Sequence, residues 1–305
     1  MRCIVVGLGI QGHKRKKVLQ VHGDYVCSVD PNNMEAEYRD IIDVPLETYD
    51  AAMVCVPPDQ KRDIIVYLLQ NKKHVLVEKP LLGRGSDFHW MDLQCEALHL
   101  VCYVAYNHRF EPHIIRLRDL IQSGELGELY HCRMFYGNGT AQSVKTSPWR
   151  DSGYGVMSEI GTHLFDLSLY LFNEPVLQEY PRVLVGTREN VAWDHVIVRT
   201  QGKVKGQPSI ELEVTYLSWK NTFNIDLYGL KGSAHIDGLT KWGVSKFTHR
   251  TRQFPPGVPS EDTCTRSEQD QTWELEYLYF KKLCEKREHP GLERDIMINK
   301  ALENL

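Results

Sequence analysis

The run Cys3-Ile4-Val5-Val6-Gly7-Leu8-Gly9-Ile10-Gln11-Gly12 decides the fold. Four apolar residues make a buried strand, and the glycines after them turn the chain into a helix predicted over His13 to Gln20. A G-x-G-x-x-G in that setting is the fingerprint of a dinucleotide site. Gly7 permits the tight turn, Gly9 lets backbone approach a pyrophosphate, and Gly12 lets helix pack on strand. Ile10 and Gln11 open the helix, whose first amides face the phosphates. Asp30, 18 residues after Gly12, ends the next strand, Tyr25 to Val29. Its carboxylate is placed to accept hydrogen bonds from adenine-ribose hydroxyls and to repel a 2′-phosphate. Pro31-Asn32-Asn33 bring no cation to hold such a phosphate, so NAD is expected in preference to NADP. The plainer alternative is a structural turn with a capping aspartate.

Outward from this motif, the apolar runs Tyr25 to Val29, Ala51 to Val56 and His74 to Val77 alternate with helical stretches and end in Gly, Pro or Asp. That series predicts a parallel sheet with crossover helices. Only twenty residues separate Asp30 from Asp50, so the sheet is expected to be pared down there. A helix is predicted from Ser86 into the run Val101 to Ala105, and another from Pro112 to Ser123, stopped by Gly124. Beyond Gly127 the period changes. Ile210, Leu212, Val214 and Tyr216 alternate with Glu211, Glu213 and Thr215, and Phe223, Ile225 and Leu227 alternate with Asn224, Asp226 and Tyr228. Period two with one polar face predicts half-buried, antiparallel strands, with Ser218 to Thr222 and Leu230 to Gly232 as the turns. Gln253 to Thr265 reads as a loop, followed by a long helix from about Glu268 to Lys286 with Trp273, Tyr277, Phe280 and Cys284 on one face.

Composition narrows the function classes. The chain has 305 residues, and 36 basic against 40 acidic side chains leave a net charge of −4. That balance argues against disorder and against a nucleic-acid partner. No run of about 18 apolar residues is present, and the N-terminus enters a strand rather than a signal peptide, so no membrane association and a cytoplasmic location are expected. The eight cysteines are scattered, without C-x-x-C pairs. They read as reduced structural thiols, and no metal site is expected.

Two clusters carry chemistry. In His74-Val75-Leu76-Val77-Glu78-Lys79-Pro80 a lysine stands at the C-terminal edge of a buried strand, the side on which open α/β sheets bind ligands. Pro80 restricts Lys79 to extended backbone and permits a cis bond. Desolvation there would lower the lysine pKa toward a value useful for proton transfer, although the position equally suits a solvent-facing charge. In the second cluster Glu159, His163, Asp166 and Tyr170 are spaced to share one helix face. A histidine flanked by carboxylates suits a tuned base, and a histidine on such a face also suits a satisfied structural group.

Together these features resemble the Gfo/Idh/MocA oxidoreductases. The marks are the glycine motif, Glu78-Lys79-Pro80, Asn107-His108-Arg109-Phe110, Ser123-Gly124-Glu125-Leu126-Gly127, Trp149-Arg150, Gly161-Thr162-His163-Leu164-Phe165-Asp166 and Tyr228-Gly229-Leu230-Lys231-Gly232-Ser233. The resemblance implies an α/β chain. An N-terminal Rossmann domain over 1–110 precedes a C-terminal α/β domain over 111–305, whose large, open, mostly antiparallel sheet serves substrate binding and oligomer formation. The last helices are free to pack back on the first domain. By the same resemblance Lys79 is the catalytic lysine and His163 the acid/base, with Glu159 where the family often has Asp. Cofactor contacts are expected from Gly7, Gly9, Ile10, Gln11, Gly12, Asp30, Pro57, Glu78, Lys79, Trp149 and Arg150, and substrate contacts from Lys79, Asn107, Arg109, Tyr154 and His163. Two departures stand out. The usual histidine after the third run is replaced within Pro57-Pro58-Asp59-Gln60-Lys61, and Gly153-Tyr154-Gly155 is an imperfect glycine triplet.

The implied activity is hydride transfer between nicotinamide and a secondary alcohol of a sugar, cyclitol or sugar nucleotide, by a homodimer or homotetramer assembled through the C-terminal sheet. Arg109, Arg116 and Arg150 are available to a diphosphate, which slightly favours sugar nucleotides, and each equally suits a surface or interface ion-pair partner. A non-catalytic dinucleotide-binding regulator of the same fold is the rival reading, and dihydrodiol or biliverdin-type chemistry is a third.

Overall fold

A computed structural model describes residues 1–172, 182–200 and 207–305. The chain divides into two compact units. One comprises Met1–Asn107 with Thr272–Asn299, the other His108–Gln271 with Lys300–Leu305.

In the first unit the strands β1 (Cys3–Val6), β2 (Tyr25–Val29), β3 (Ala51–Val54), β4 (His74–Glu78) and β5 (Cys102–Ala105) form a parallel sheet in the order β2-β1-β3-β4-β5. The helices α1 (Ile10–Val21), α2 (Pro58–Gln70) and α3 (Gly85–Leu98) lie between strands in the chain. The crossover from β2 to β3 has no α-helix, only short 3-10 turns at Ile41–Asp43 and Leu46–Thr48, in keeping with the short span read from the sequence. Strands β1, β3 and β5 are fully buried, as continuous apolar runs in a two-sided parallel sheet must be. Tyr277, Phe280 and Cys284 of a later helix join this core with Cys3, Val5, Met53 and Leu76.

One feature of α2 departs from the simplest rule of helix patterning. Its buried stripe is Ile65, Leu68, Leu69 and Lys61, the lysine only 1% exposed. The Lys61 ammonium donates to the carbonyl oxygens of Glu78 at 2.5 Å and Pro80 at 2.7 Å. Burial pushes its pKa down to about 7, against an opposing pull from Glu78. A helix thereby clamps the end of β4, satisfying two carbonyls that leave the sheet.

The second unit is built on an eight-stranded sheet. Helix α4 (Pro112–Gln122) precedes β6 (Leu129–Gly137). The short α5 (Ala141–Lys145), a π-helical turn at Met157–Gly161 and α6 (Thr162–Phe172) follow. Then come β7 (Arg182–Gly186), β8 (His195–Thr200), β9 (Ser209–Thr215), β10 (Thr222–Gly229), β11 (Gly232–Asp237), β12 (Ser245–Thr251) and β13 (Ser260–Arg266), in the order β13-β12-β11-β10-β6-β9-β8-β7. Helices α7 (Thr272–Lys286) and α8 (Glu293–Glu303) end the chain.

The sheet is mostly antiparallel, as expected, with β6 paired parallel to β9 and antiparallel to β10. Two details of the strand reading differ. The segment from Ser218 to Thr222 therefore crosses over β6 instead of closing a hairpin. The stretch from Gln253 to Thr265 is also not all loop, because its second half is the edge strand β13, paired with β12. Its Ser, Thr, Asp and Glu content leaves it exposed, as an edge strand permits.

Period two is obeyed across the sheet centre. Cys132, Met134 and Tyr136 of β6, Ile210, Leu212 and Val214 of β9, and Phe223, Ile225 and Leu227 of β10 are buried. The opposite face is polar and cross-linked, Arg133 meeting Glu211 at 3.3 Å and Glu213 at 3.2 Å. Among the described residues no helix is long and apolar enough to cross a membrane.

The buried lysine has a measurable signature. Its folded pKa near 7 lies below the ordinary 10.5, so between those values the unfolded chain binds the extra proton and stability from this group rises with pH. Thermal melts of wild type and Lys61→Met between pH 7 and 9 are expected to differ in slope, the wild type gaining more stability. Parallel slopes would remove the assigned burial of a titrating lysine.

Candidate active site

In the first unit the glycine loop has the steric demands its sequence announces. Gly7 has φ +90°, and a Cβ there would lie 2.7 Å from the Cys55 carbonyl oxygen. A Cβ on Gly12 would lie 2.0 Å from the Gly7 carbonyl, so helix and turn touch backbone to backbone. Gly9 is different, because a Cβ there would meet nothing within 4 Å. Its open Cα stands at the N-terminus of α1, where the amides of the first turn lack intrahelical partners. A pyrophosphate fits this combination of donors and space. Ile10 is 79% exposed at the same helix end, and Gln11 beside it is exposed.

Asp30 closes the loop. Its carboxylate accepts from the amides of Leu8 at 2.7 Å, Asn32 at 2.8 Å and Asn33 at 2.9 Å. Burial raises its pKa, but these amides outweigh that and hold the group below the usual carboxylate range. Arg39 lies against the same turn, donating to the carbonyls of Asp30 and Asn33. Pro57 caps α2. Glu78 turns inward: its carboxylate is bound at 2.8 Å by Arg15 Nε, and Arg15 Nη2 also reaches Glu276 at 2.6 Å. Lys79 follows, half-buried, with a cis bond to Pro80. Register places it beside the glycine loop. Val6, Val54 and Val77 are aligned across β1, β3 and β4, so Gly7 and Lys79 leave the same sheet edge two strands apart, on the order of 10 Å. Asn107 is buried and donates to Thr272 Oγ1 at 2.7 Å.

In the second unit the flanking carboxylates of the His163 helix are taken up by arginines. Arg109 grips Asp166 through both Nε and Nη2, with Asp166 fully buried. Arg150 donates to Glu159 at 2.6 and 3.0 Å, and Tyr216 Oη donates to Glu159 at 2.7 Å. Tyr170 accepts from Arg118 at 3.2 Å, and Arg116 pairs with Asp262 at 2.5 Å. The even spacing expected for Glu159 and His163 is broken, because Glu159 lies in the π-helical turn and His163 in α6. His163 is 6% exposed and its ring stacks on that of His108, centroids 3.9 Å apart. Tyr154 packs edge-on against Trp193, and Trp149 is 57% exposed.

The sequence reading missed four contributors. Lys61 was named only as part of an altered loop, although its register with Ile65, Leu68 and Leu69 marks a buried position. Arg39 lies nine residues beyond Asp30, and nothing in the local sequence ties it to that turn. Lys241, which donates to Tyr136 Oη at 3.1 Å and lies 3.0 Å from His108 Nε2, carries no local signal. Tyr216 was read only as a strand residue. Among the described residues no group of three or more His, Cys, Asp or Glu is placed to hold a metal.

Comparison with known proteins agrees with this architecture. A model described as an oxidoreductase family with an NAD-binding Rossmann fold matches residues 1–106, and the GFO/IDH/MocA C-terminal domain matches 114–235. Similar proteins include glucose-6-phosphate 3-dehydrogenase of Bacillus subtilis (strain 168), 25% identical over 65% of this chain and 63% of that protein. The scyllo-inositol 2-dehydrogenase (NAD(+)) of the same organism is 26% identical over 58% of this chain and 55% of that one. The chain thus matches less than two thirds of the length of either. Among solved structures, levoglucosan dehydrogenase in complex with NADH and levoglucosan superposes with a TM-score of 0.83 at 17% identity, covering 100% of this chain and 96% of the other. UDP-N-acetylglucosamine 3-dehydrogenase from Acidithiobacillus ferrooxidans gives 0.80 at 15% identity, covering 100% and 95%. With the two family models spanning about three quarters of its length, the chain belongs to the Gfo/Idh/MocA family of oxidoreductases.

Proposed function

We propose that this protein is an NAD-dependent dehydrogenase acting on a secondary alcohol of a sugar or cyclitol. The observation that carries the reading is the juxtaposition, on one edge of the parallel sheet, of the open glycine cradle and Lys79. Gly7, Gly9, Ile10, Gln11, Gly12, Asp30 and Pro57 would hold the dinucleotide, with Trp149 assigned to the same cofactor and Arg150 contributing indirectly, its guanidinium being committed to Glu159. Glu78 contributes by anchoring, since its carboxylate is committed to Arg15. The bound nicotinamide supplies the hydride acceptor, and the protein supplies alignment and electrostatics.

In the oxidising direction His163 takes the hydroxyl proton while the Lys79 ammonium stabilises the developing alkoxide. Glu159, held by Arg150 and Tyr216, orients the backbone that carries His163. Asn107, Arg109 and Tyr154 are assigned to the substrate pocket, Arg109 through the helix it anchors at Asp166. The arginine pairings favour an uncharged polyol over a sugar nucleotide. Arg109, Arg116 and Arg150 each already face a carboxylate, and recruiting one to a diphosphate would strip that carboxylate of its partner. The relatives named for inositol and levoglucosan support this choice. The relative named for glucose 6-phosphate makes a sugar phosphate the next substrate to assay.

Self-association through the polar face of the eight-stranded sheet belongs to the same reading, which takes the ion-paired row of Arg133, Glu211 and Glu213 as part of that face. Sedimentation equilibrium is expected to give a dimer or tetramer; a monomer at micromolar concentration would overturn it.

NADH formation measured across inositols, free sugars, sugar phosphates and nucleotide sugars is expected to show turnover with at least one polyol. Lys79→Ala should lose on the order of 10²–10⁴ in turnover while NADH still binds, and His163→Asn should behave alike. Tight NAD binding without turnover on any of these would sink the dehydrogenase and favour the non-catalytic regulator. The preference for NAD rests on Asp30. Fluorescence titration should give tighter binding of NADH than of NADPH, and Asp30→Ser should narrow the gap by leaving Arg39 as the dominant local charge. Equal affinities in the wild type would contradict the assignment.

A further inference from the structure

Behind the His163 ring lies a cluster of polar and aromatic groups that the proposed reaction does not use. His108, in the 3-10 turn Asn107–Phe110, is 1% exposed and stacks on His163 with centroids 3.9 Å apart and planes 20° off parallel. Tyr136, from the central strand β6, packs against both rings, at 5.5 Å from His108 and 6.1 Å from His163. Into this group reaches Lys241, from the turn Thr240–Trp242 between β11 and β12. Its Nζ lies 3.0 Å from His108 Nε2 and 3.1 Å from Tyr136 Oη, and 4.5 Å from the centre of the Trp242 ring. The turn itself is pinned, because buried Glu111 accepts from Thr240 Oγ1 at 2.9 Å.

An ammonium has three donors and no acceptor. While Lys241 is charged, His108 Nε2 must therefore offer its lone pair, and the ring proton resides on Nδ1. Two consequences follow for the stacked pair. The proton site nearest the lysine is blocked, and the positive charge opposes protonation of either imidazole. We propose that Lys241 is a positioning residue for His163: it locks the stacked His108 ring as a neutral acceptor and so keeps His163 in the neutral form that accepts the substrate proton. This rests on the reading of His163 as the base.

The surroundings are consistent with that part. Burial pushes the Lys241 pKa down to about 8, with Glu111 and Asp270 pulling the other way, so the lysine is charged through neutral pH and loses its lock only above that value. Burial also raises the Tyr136 hydroxyl well above its ordinary range, helped by Glu159, so it stays protonated. Burial likewise raises the Glu111 carboxyl, against its bonds from Thr240. Trp242 contributes a ring face that suits a cation.

The test is an NMR titration of imidazole resonances in the ligand-free full chain, His163 and His108 being assigned with His163→Asn and His108→Asn. Replacing Lys241 by Met removes the charge at similar volume, and Lys241→Gln serves as a second neutral variant should the first fold poorly. In either, the His163 midpoint is expected to rise by about half a unit to one unit, whereas Lys241→Arg should hold it near wild type. With a turned-over polyol, the acid limb of the kcat/KM profile should move to higher pH by the same amount in the neutral variants, with KM little changed. An unmoved His163 midpoint in both neutral variants would overturn the proposal, whether or not the enzyme turns over. A shifted midpoint in a protein that oxidises no polyol would uphold the lock and refute the dehydrogenase reading.

Discussion

A cation buried in the first unit fixes much of its geometry. Arg15 is 2% exposed, one turn into α1, and it is held between Glu78 at the end of β4 and Glu276 on α7. An arginine cannot shed its proton in a protein, so a buried guanidinium demands carboxylates close by. Supplying them brings together three segments remote in sequence: the helix that follows the glycine loop, the strand that ends in Lys79, and a helix some 260 residues further on. The face of Trp273 completes the enclosure, 4.3 Å from the guanidinium. The arrangement explains why Thr272–Asn299 belongs with the N-terminal residues rather than with the strands that immediately precede it. It also gives buried Glu78 its partner. Through Arg15, Glu78 ties the strand that ends in Lys79 to the helix that follows the glycine loop, while Lys61 fixes the same strand end through its carbonyls.

The second unit treats its charges in the opposite sense. The carboxylates near His163 in sequence are neutralised by arginines, Asp166 by Arg109 and Glu159 by Arg150. Tuning of the histidine therefore falls to the groups that touch its ring. The stacked His108 and the nearby Lys241 favour a neutral imidazole, where an adjacent carboxylate would have favoured a protonated one. If His163 is the base proposed above, it begins its cycle unprotonated, and a cationic background serves that better than a carboxylate would.

What was legible in the sequence and what was not divides along a physical line. Strands β1 to β5, the shortened crossover after Asp30 and the buried face of α7 were readable, because burial imposes a period and glycine contacts are local. The parallel pairing of β6 with β9 was not, since period two is the same for either direction of a neighbour. Strand β13 was hidden because an edge strand need not be apolar. In the site, Lys79, His163 and the glycine loop stood out by motif. The partners of the charged groups did not. Arg109 with Asp166 and Arg150 with Glu159 are set by tertiary packing, and Lys241 comes to His108 from 133 residues away.

The glutamate at 159 can be understood in these terms. The segment Met157–Gly161 is π-helical, so its turn is wider than that of the α-helix which follows, and side chains on either side of the change lose the four-residue spacing. A longer acid is suited to this geometry. It reaches Arg150 and the hydroxyl of Tyr216 on the neighbouring strand segment at once. The turn is in its own way constrained by glycine. A Cβ on Gly155, at φ +50°, would lie 2.2 Å from the Trp193 carbonyl, and one on Gly161 would strike the Met157 sulfur at 2.5 Å. Small residues thus allow the turn to pack closely, and the glutamate ties that turn to the sheet. Irregular backbone ahead of His163 is held in place by charge and close packing, which would keep the ring in one orientation in the role proposed for it.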